Sequence, residues 1–242
     1  DKVEKRLENL RPFLLPENWD SEKERLLKLG AKVPLYKHQR GPITFAMSIY
    51  GIENLIYTIA DNPDIAERFR GLILKAMLER AAILDEEAGY KKGTAPRGFY
   101  FSDDNCSLLT PDMYEFFGYP ILKGIFDTYS PDEKDMRGQH SDSEMAHLLP
   151  ILGKLKLNSV NFGPTLTVRE IRENIPETVI LGQLAPFTFS RNEDVNIVAE
   201  FIRDFEMARE KRGLVFATAG SINNGSRISG MRLIMAAIQE FG

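Results

Sequence analysis

The run Gln139-His140-Ser141-Asp142-Ser143-Glu144 sets a histidine two residues before a carboxylate. Residues two apart on a strand share a face, so His140 and Asp142 would turn an imidazole and a carboxylate into one space. Such a pair can form half of a zinc site or an acid/base pair. A structural role is the competing reading: Asp142 or Ser143 caps the next helix, Glu144 sits in its first turn, and His140 fills space. The second cluster is Phe101-Ser102-Asp103-Asp104-Asn105, where two adjacent carboxylates and an amide follow an apolar run. These could bind a cation, hold a substrate hydroxyl or act as general acid or base. The structural alternative has Asp103 capping the loop and Asp104 facing water.

Weaker signals surround these two. Ala219 to Arg227 is a Gly- and Ser-rich stretch whose backbone amides, with Arg227, could hold a carboxylate or phosphate. It lacks the Lys and spacing of a phosphate-binding loop, and a flexible connection explains it equally well. Cys106 could act as a thiolate, but no His or second Cys is fixed beside it. His38 and His147 read as structural or surface residues. Arg40, Arg97 and Arg137 add positive charge near predicted strands, the last two before their strands and so away from a strand-end site.

These residues need a scaffold, and one pattern repeats along the chain. Short apolar runs (43–48, 98–102, 136–140, 159–162, 179–182 and 214–218) alternate with amphipathic stretches (63–88, 111–129, 143–155, 168–174, 193–211 and 230–240). Apolar strands alternating with helices predict a parallel sheet covered on both faces, hence an α/β chain. No Gly-x-Gly-x-x-Gly opens a helix, which weighs against a dinucleotide fold. Polar residues follow nearly every run: Ser48, Asp103, His140, Asn161, Gln183 and Asn223. A (β/α)8 barrel gathers such residues into one mouth, so Ser48, Asn161, Gln183, Asn223 and Arg227 are the expected substrate-binding residues. Residues 1–40 form a separate helical segment before the barrel of 41–242. Asp20-Ser21-Glu22 supplies cap candidates there, and Gly30 a helix end.

With 242 residues, 43% hydrophobic, 27% charged and a net charge of −4, the chain suits one large domain and excludes disordered and collagen-like classes. The scattered charge argues against nucleic acid as a partner. No apolar stretch approaches the roughly 18 residues that a membrane span needs. A single cysteine and a charged amino end predict a cytoplasmic protein.

The same residues resemble the uroporphyrinogen decarboxylase superfamily. The likeness runs through Gly41-Pro42-Ile43-Thr44-Phe45, Phe101 to Asp104, and Leu109-Thr110-Pro111 into an aromatic-rich helix with Pro120-x-x-Lys123. It continues through Gln139-His140-Ser141-Asp142, Gly182-x-x-x-Pro186 and the final Gly-rich loop, covering residue 35 to the end. It implies a (β/α)8 barrel with His140, Asp103, Asp104 and Asp142 as catalytic residues. The His-Ser-Asp form resembles the methyltransferase-like branch, implying methyl transfer between a small molecule and a corrinoid on a partner protein. Zinc on His140 and Asp142 is part of that implication, although Asp142 and Ala219 or Gly220 stand where related zinc enzymes carry Cys. Tetrapyrrole decarboxylation is the first alternative, set back because the arginine-rich amino-terminal segment of true decarboxylases has no counterpart in this sequence. A non-catalytic barrel binding a corrinoid or a partner is the second. A homodimer is the expected self-association. Six β/α units against the eight of a barrel imply that one or two amino-terminal units are missing from the sequence, or that residues 1–40 replace them with helices over an open barrel.

Overall fold

The computed structural model describes residues 2–33, 38–209 and 211–241. Three short helices come first: α1 (Lys2–Leu7), α2 (Arg11–Leu14) and α3 (Trp19–Lys28). The strand β1 (Gln39–Arg40) follows, with helices α4 (Pro42–Tyr50), α5 (Ile52–Asp61) and α6 (Pro63–Glu87). Next come β2 (Phe99–Ser102), α7 (Pro111–Tyr129), β3 (Arg137–Ser141) and α8 (Leu149–Gly153). The chain continues with β4 (Ser159–Phe162), α9 (Val168–Asn174), β5 (Val179–Leu184), α10 (Pro186–Arg191), α11 (Asp194–Ala208), β6 (Leu214–Thr218) and α12 (Ile228–Phe241). The six strands form one sheet in chain order, every neighbouring pair parallel. Six successive β/α units in sequential order are the curved, partial form of a β/α barrel.

Local signals explain most element ends. Thr110 accepts the Met113 amide and Pro111 supplies a fixed φ, so α7 starts where an N-cap and a first-turn Pro dictate. Thr167 and Glu170 form a reciprocal capping box at the head of α9. Gly30 has φ +80 just after α3, the left-handed geometry that ends helices. The core lies between strands and helices. Phe99 and Phe101 of β2 pack on Tyr129 and Phe126 of α7, with ring centroids 5.5 and 5.6 Å apart.

Three expectations change. Residues 43–48 are helical, not a strand: Pro42 occupies the first turn after an extended Gly41, and Ile43, Ala46 and Met47 bury at helical spacing. The strand of this unit is the two-residue β1 just before it. The helix expected over 143–155 is broken into a 3-10 turn at Ala146–Leu148 and the short α8. Pro150 lacks an amide and fits only the first turn of a helix. Helix α3 opens at Trp19, so Asp20 and Ser21 lie inside it and do not cap it.

No single described helix is long and apolar enough to cross a membrane. The pair α4 and α5 passes by length and composition only when joined, and it is bent by 105°.

The amino-terminal helices are tied to α6 through carboxylate pairs: Glu4 of α1 with Arg68, and Glu87 with donors from α2 and α3. Glu87, 4% exposed at the end of α6, accepts from Trp19 Nε1 at 2.5 Å and Lys23 Nζ at 3.0 Å and pairs with Arg11. Burial pushes this carboxyl up, but those three donors outweigh it and hold it at about 2. A depressed carboxylate stabilises the fold above its unfolded value of 4.5 and loses that contribution as pH falls from there toward 2. Replacing Glu87 by Gln should lower urea stability at pH 7 by about 2 kcal/mol and speed proteolytic cleavage within residues 2–28. Both effects should shrink as pH approaches 3.

Candidate functional site

Strand register builds the site. Phe99 and Phe101 point outward into the helix layer, so Tyr100 and Ser102 point to the inner face of the sheet. Pairing is in step across four strands: Arg40 faces Ser102, Ser102 faces His140, and His140 faces Asn161. These four side chains therefore form one row on the inner face at the carboxyl ends of the strands. One layer below, Tyr100 pairs with Gly138, where any side chain would overlap the Tyr100 ring.

His140 is oriented on both sides. Its Nδ1 lies 2.7 Å from Asn161 Oδ1, and its Nε2 lies 3.4 Å from Asp142 Oδ1. The Asn161 amide nitrogen donates to the Leu181 and Thr218 carbonyls, which turns Asn161 Oδ1 toward the ring. The network thus assigns the proton to Nδ1 of His140 and leaves Nε2 facing the Asp142 carboxylate. The His140 side chain is 23% exposed and that of Asp142 52%, so the pair meets solvent and any ligand.

Three loops converge on Asp142. Its amide donates to Asp104 Oδ1 at 2.8 Å. Side chains at Gly163, after β4, and Gly220, after β6, would overlap the Asp142 carbonyl and carboxylate respectively. Gly220 also has φ +109, a second reason for glycine there. Tyr100 is held above its usual range by burial, and the negative charge of Asp142 adds to this, so its hydroxyl stays a donor.

The structure brings together His140, Asp142, Asn161 and Asp104 from the expected set and separates others from them. Asp103 is wholly buried and touches no open space. Its carboxylate accepts the amides of Thr44 at 2.7 Å and Ile43 at 3.4 Å, anchoring the start of α4. Ser48 lies inside α4, not after a strand; its hydroxyl donates to the Thr44 carbonyl and accepts from Arg40 Nη1. Gln183 is buried and donates to the carbonyls of Gly163 and Leu166, bracing the loop after β4. Asn223 is half-buried in the loop after β6, and Arg227 is exposed with its amide tied to Asn192 Oδ1. Cys106 is buried against the Asp103 carbonyl and Met145 Sδ. Burial, then the charges of Asp103 and Asp104, push its thiol well up, which removes the thiolate reading. His147 bonds the Leu109 carbonyl and His38 Nδ1 accepts the Tyr100 amide, both structural contacts.

Arg40, Ser102 and Tyr100 are inner-face residues that the sequence reading did not assign to the site. Alternation along β2 was their available signal, once β2 was known to bury its Phe side outward.

With this geometry in hand, the comparisons decide the lineage. The family described as uroporphyrinogen decarboxylase (URO-D) matches residues 22–241. The chain belongs to that family. No curated protein sequence matches it. Among solved structures, a methyltransferase from Methanosarcina mazei superposes with a TM-score of 0.66 at 17% identity. The match covers 84% of this chain and 58% of that one, so this chain spans little more than half of that enzyme's length. At this identity the likeness concerns the barrel fold.

Within the URO-D family frame, the Gly-Pro-x-Thr motif acquires a physical reason. Any side chain at Gly41 would overlap Asp103, Pro42 starts α4, and Thr44 supplies an amide to Asp103 and accepts the Asn105 amide at 3.1 Å. Burial pushes Asp103 up to about 6, against its amide bonds and with a smaller push from Asp104. A carboxyl raised in the folded chain favours folding while protonated. Its contribution therefore falls as pH rises from its unfolded 3.8 through about 6, by about 3 kcal/mol. In Asp103→Asn that pH-dependent part vanishes. Urea titrations at pH 4 and pH 7 should show wild type losing about 2.4 kcal/mol relative to the variant on going to pH 7; a constant difference would refute the assignment.

Proposed function

We propose that the mouth on β2, β3 and β4 transfers a methyl group between a small molecule and a corrinoid carried by a partner protein. The observation that carries this reading is the orientation of His140. An imidazole whose Nδ1 proton is committed to Asn161 turns Nε2 toward the Asp142 carboxylate. That arrangement is favourable only when a proton or a cation lies between them. As methyl leaves a donor CH3–X, the departing X− gains negative charge, and a protonated His140 supplies the proton it takes up. Asp142 steadies the imidazolium before transfer. In the reverse direction the same pair removes the proton from X–H. The corrinoid supplies the cobalt that accepts or gives the methyl group. Asp104 orients Asp142 through its backbone amide, and Asp103 acts only by positioning α4.

Zinc fits the pair in part. The 3.4 Å between Nε2 and Oδ1 equals the edge spanned by two ligands on one tetrahedral ion at roughly 2.0–2.2 Å from each. Zinc sites take three or four protein ligands, however, and among the described residues no group of three His, Cys, Asp or Glu could hold an ion. No step is therefore routed through a metal.

Decarboxylation of an acidic tetrapyrrole is the second reading, favoured by the family match over residues 22–241. There a protonated His140 would protonate the carbanion left when CO2 departs. Beside His140 the mouth sets two carboxylates, Asp104 and Asp142, a balance poorly suited to a ligand with many acidic groups.

Demethylation of methylcobalamin, followed by absorbance with a panel of thiol and hydroxyl acceptors, tests the first reading. His140→Gln should lower turnover at least about 100-fold. Asn161→Ala, which frees the imidazole, should cost about tenfold and shift the pH profile. Full turnover in His140→Gln would overturn the assignment, and CO2 release from uroporphyrinogen I without methyl transfer would replace it. Zinc bound one per chain in wild type and lost in His140→Ala would supply the missing cation.

A further inference from the structure

A cavity of about 620 Å3 opens on the inner face of β1 and β2, beside the row that carries His140. One wall is apolar, formed by Leu10 just before α2, Leu14 of α2 and Met77 of α6. Its charged lining is of a single sign. Arg40 and Arg80 face it together with Tyr100 and Ser102, and none of the described residues that line it is a carboxylate. A larger cavity of about 860 Å3 at the opposite ends of the strands differs in kind, because carboxylates line it beside its lysines: Asp127 pairs with Lys123 and Glu133 with Lys156.

Arg40 is held in place but not neutralised. Its Nη1 donates to Ser48 Oγ at 3.0 Å, and Ser48 spends its own proton on the Thr44 carbonyl one turn back at 2.7 Å. Ser48 therefore offers Arg40 only a lone pair, which orients the guanidinium without cancelling its charge. Arg11, Arg25, Arg68, Arg70, Arg97 and Arg203 each meet a carboxylate. No carboxylate among the described residues pairs with Arg40. A guanidinium beside an apolar wall is matched by an anion whose remaining surface is apolar. Ser102 is the register partner of both Arg40 and His140, so their backbones stand about 10 Å apart across two strand spacings. Ser102 lines the cavity and stands between Arg40 and His140 in the row.

We propose that this cavity is the substrate-binding arm of the mouth and takes an amphipathic organic acid, with its single carboxylate on Arg40 and its hydrocarbon body against Leu10, Leu14 and Met77. The inference rests on the functional reading above only in treating the bound molecule as the substrate.

Octanoate and its neutral counterpart 1-octanol, titrated calorimetrically into the full chain at pH 7, test it without any turnover. Octanoate should bind about tenfold tighter than octanol, the value of one charge-assisted contact. Arg40→Gln should erase that preference while leaving octanol unchanged, and Ser48→Ala, which only releases the guanidinium, should weaken octanoate about threefold. Arg97→Gln, at the opposite strand ends, should change neither. Equal binding of the two probes, or full octanoate affinity in a folded Arg40→Gln protein, overturns the proposal. Octanoate binding that depends on Arg40, in a protein without methyl transfer or decarboxylation, upholds the site and overturns the catalytic reading alone.

Discussion

The parallel, in-step pairing of β1 through β4 is the constraint on which the rest of the molecule depends. Side chains on neighbouring parallel strands stand side by side only when register is kept, and a shift of one residue would turn every inner residue outward. The burial of Phe99 and Phe101 against α7 makes such a slip costly, because it would carry two large rings into the open inner face. Arg40, Ser102, His140 and Asn161 become neighbours as a consequence of packing on the other side of the sheet.

The second determinant is how the structure divides labour between adjacent carboxylates. Asp103 and Asp104 follow one another, yet one is enclosed under α4 and the other reaches the amide of Asp142. Enclosure raises the first and commits it to holding a helix start, where its two acceptor oxygens meet two backbone donors. Glu87 shows the opposite balance: it too is buried, but three side-chain donors converge on it and keep it ionised. Burial alone therefore predicts neither charge state nor role; the number and kind of donors decide.

The amino-terminal helices contribute to the site more directly than a separate segment would. Glu87 fastens α3 to the end of α6, and Leu14 of α2, with Leu10 just before it, then lines the wall of the inner-face cavity. Their attachment is polar while their contribution is apolar, so the cavity wall depends on an ionic anchor in which Arg11, next to Leu10, meets Glu87 at the end of α6.

By itself the sequence determined the alternation of apolar runs with amphipathic helices, the starts of α7 and α9 through Thr110 and Thr167, and the strand-end position of His140 and Asp142. Each is set by local chemistry: hydrophobic period, a capping hydroxyl, a proline at a first turn. The first unit was misread because Ile43 to Ser48 is apolar enough for either state. Pro42 at the first turn and the buried Asp103 acceptor, which takes the Ile43 and Thr44 amides, select the helix. The site divided along the same line. That His140 and Asp142 share a face follows from a period of two, whereas the roles of Asn161 and Arg40 depend on neighbouring strands. Asp103 and Gln183 carry the right chemistry at the right spacing, yet tertiary packing turned them toward backbone groups instead of the mouth, while Ser48 was turned by its own helix toward the Thr44 carbonyl. A side chain's partners are decided by what folds against it, and for Asp103 that information lies some sixty residues away in the chain.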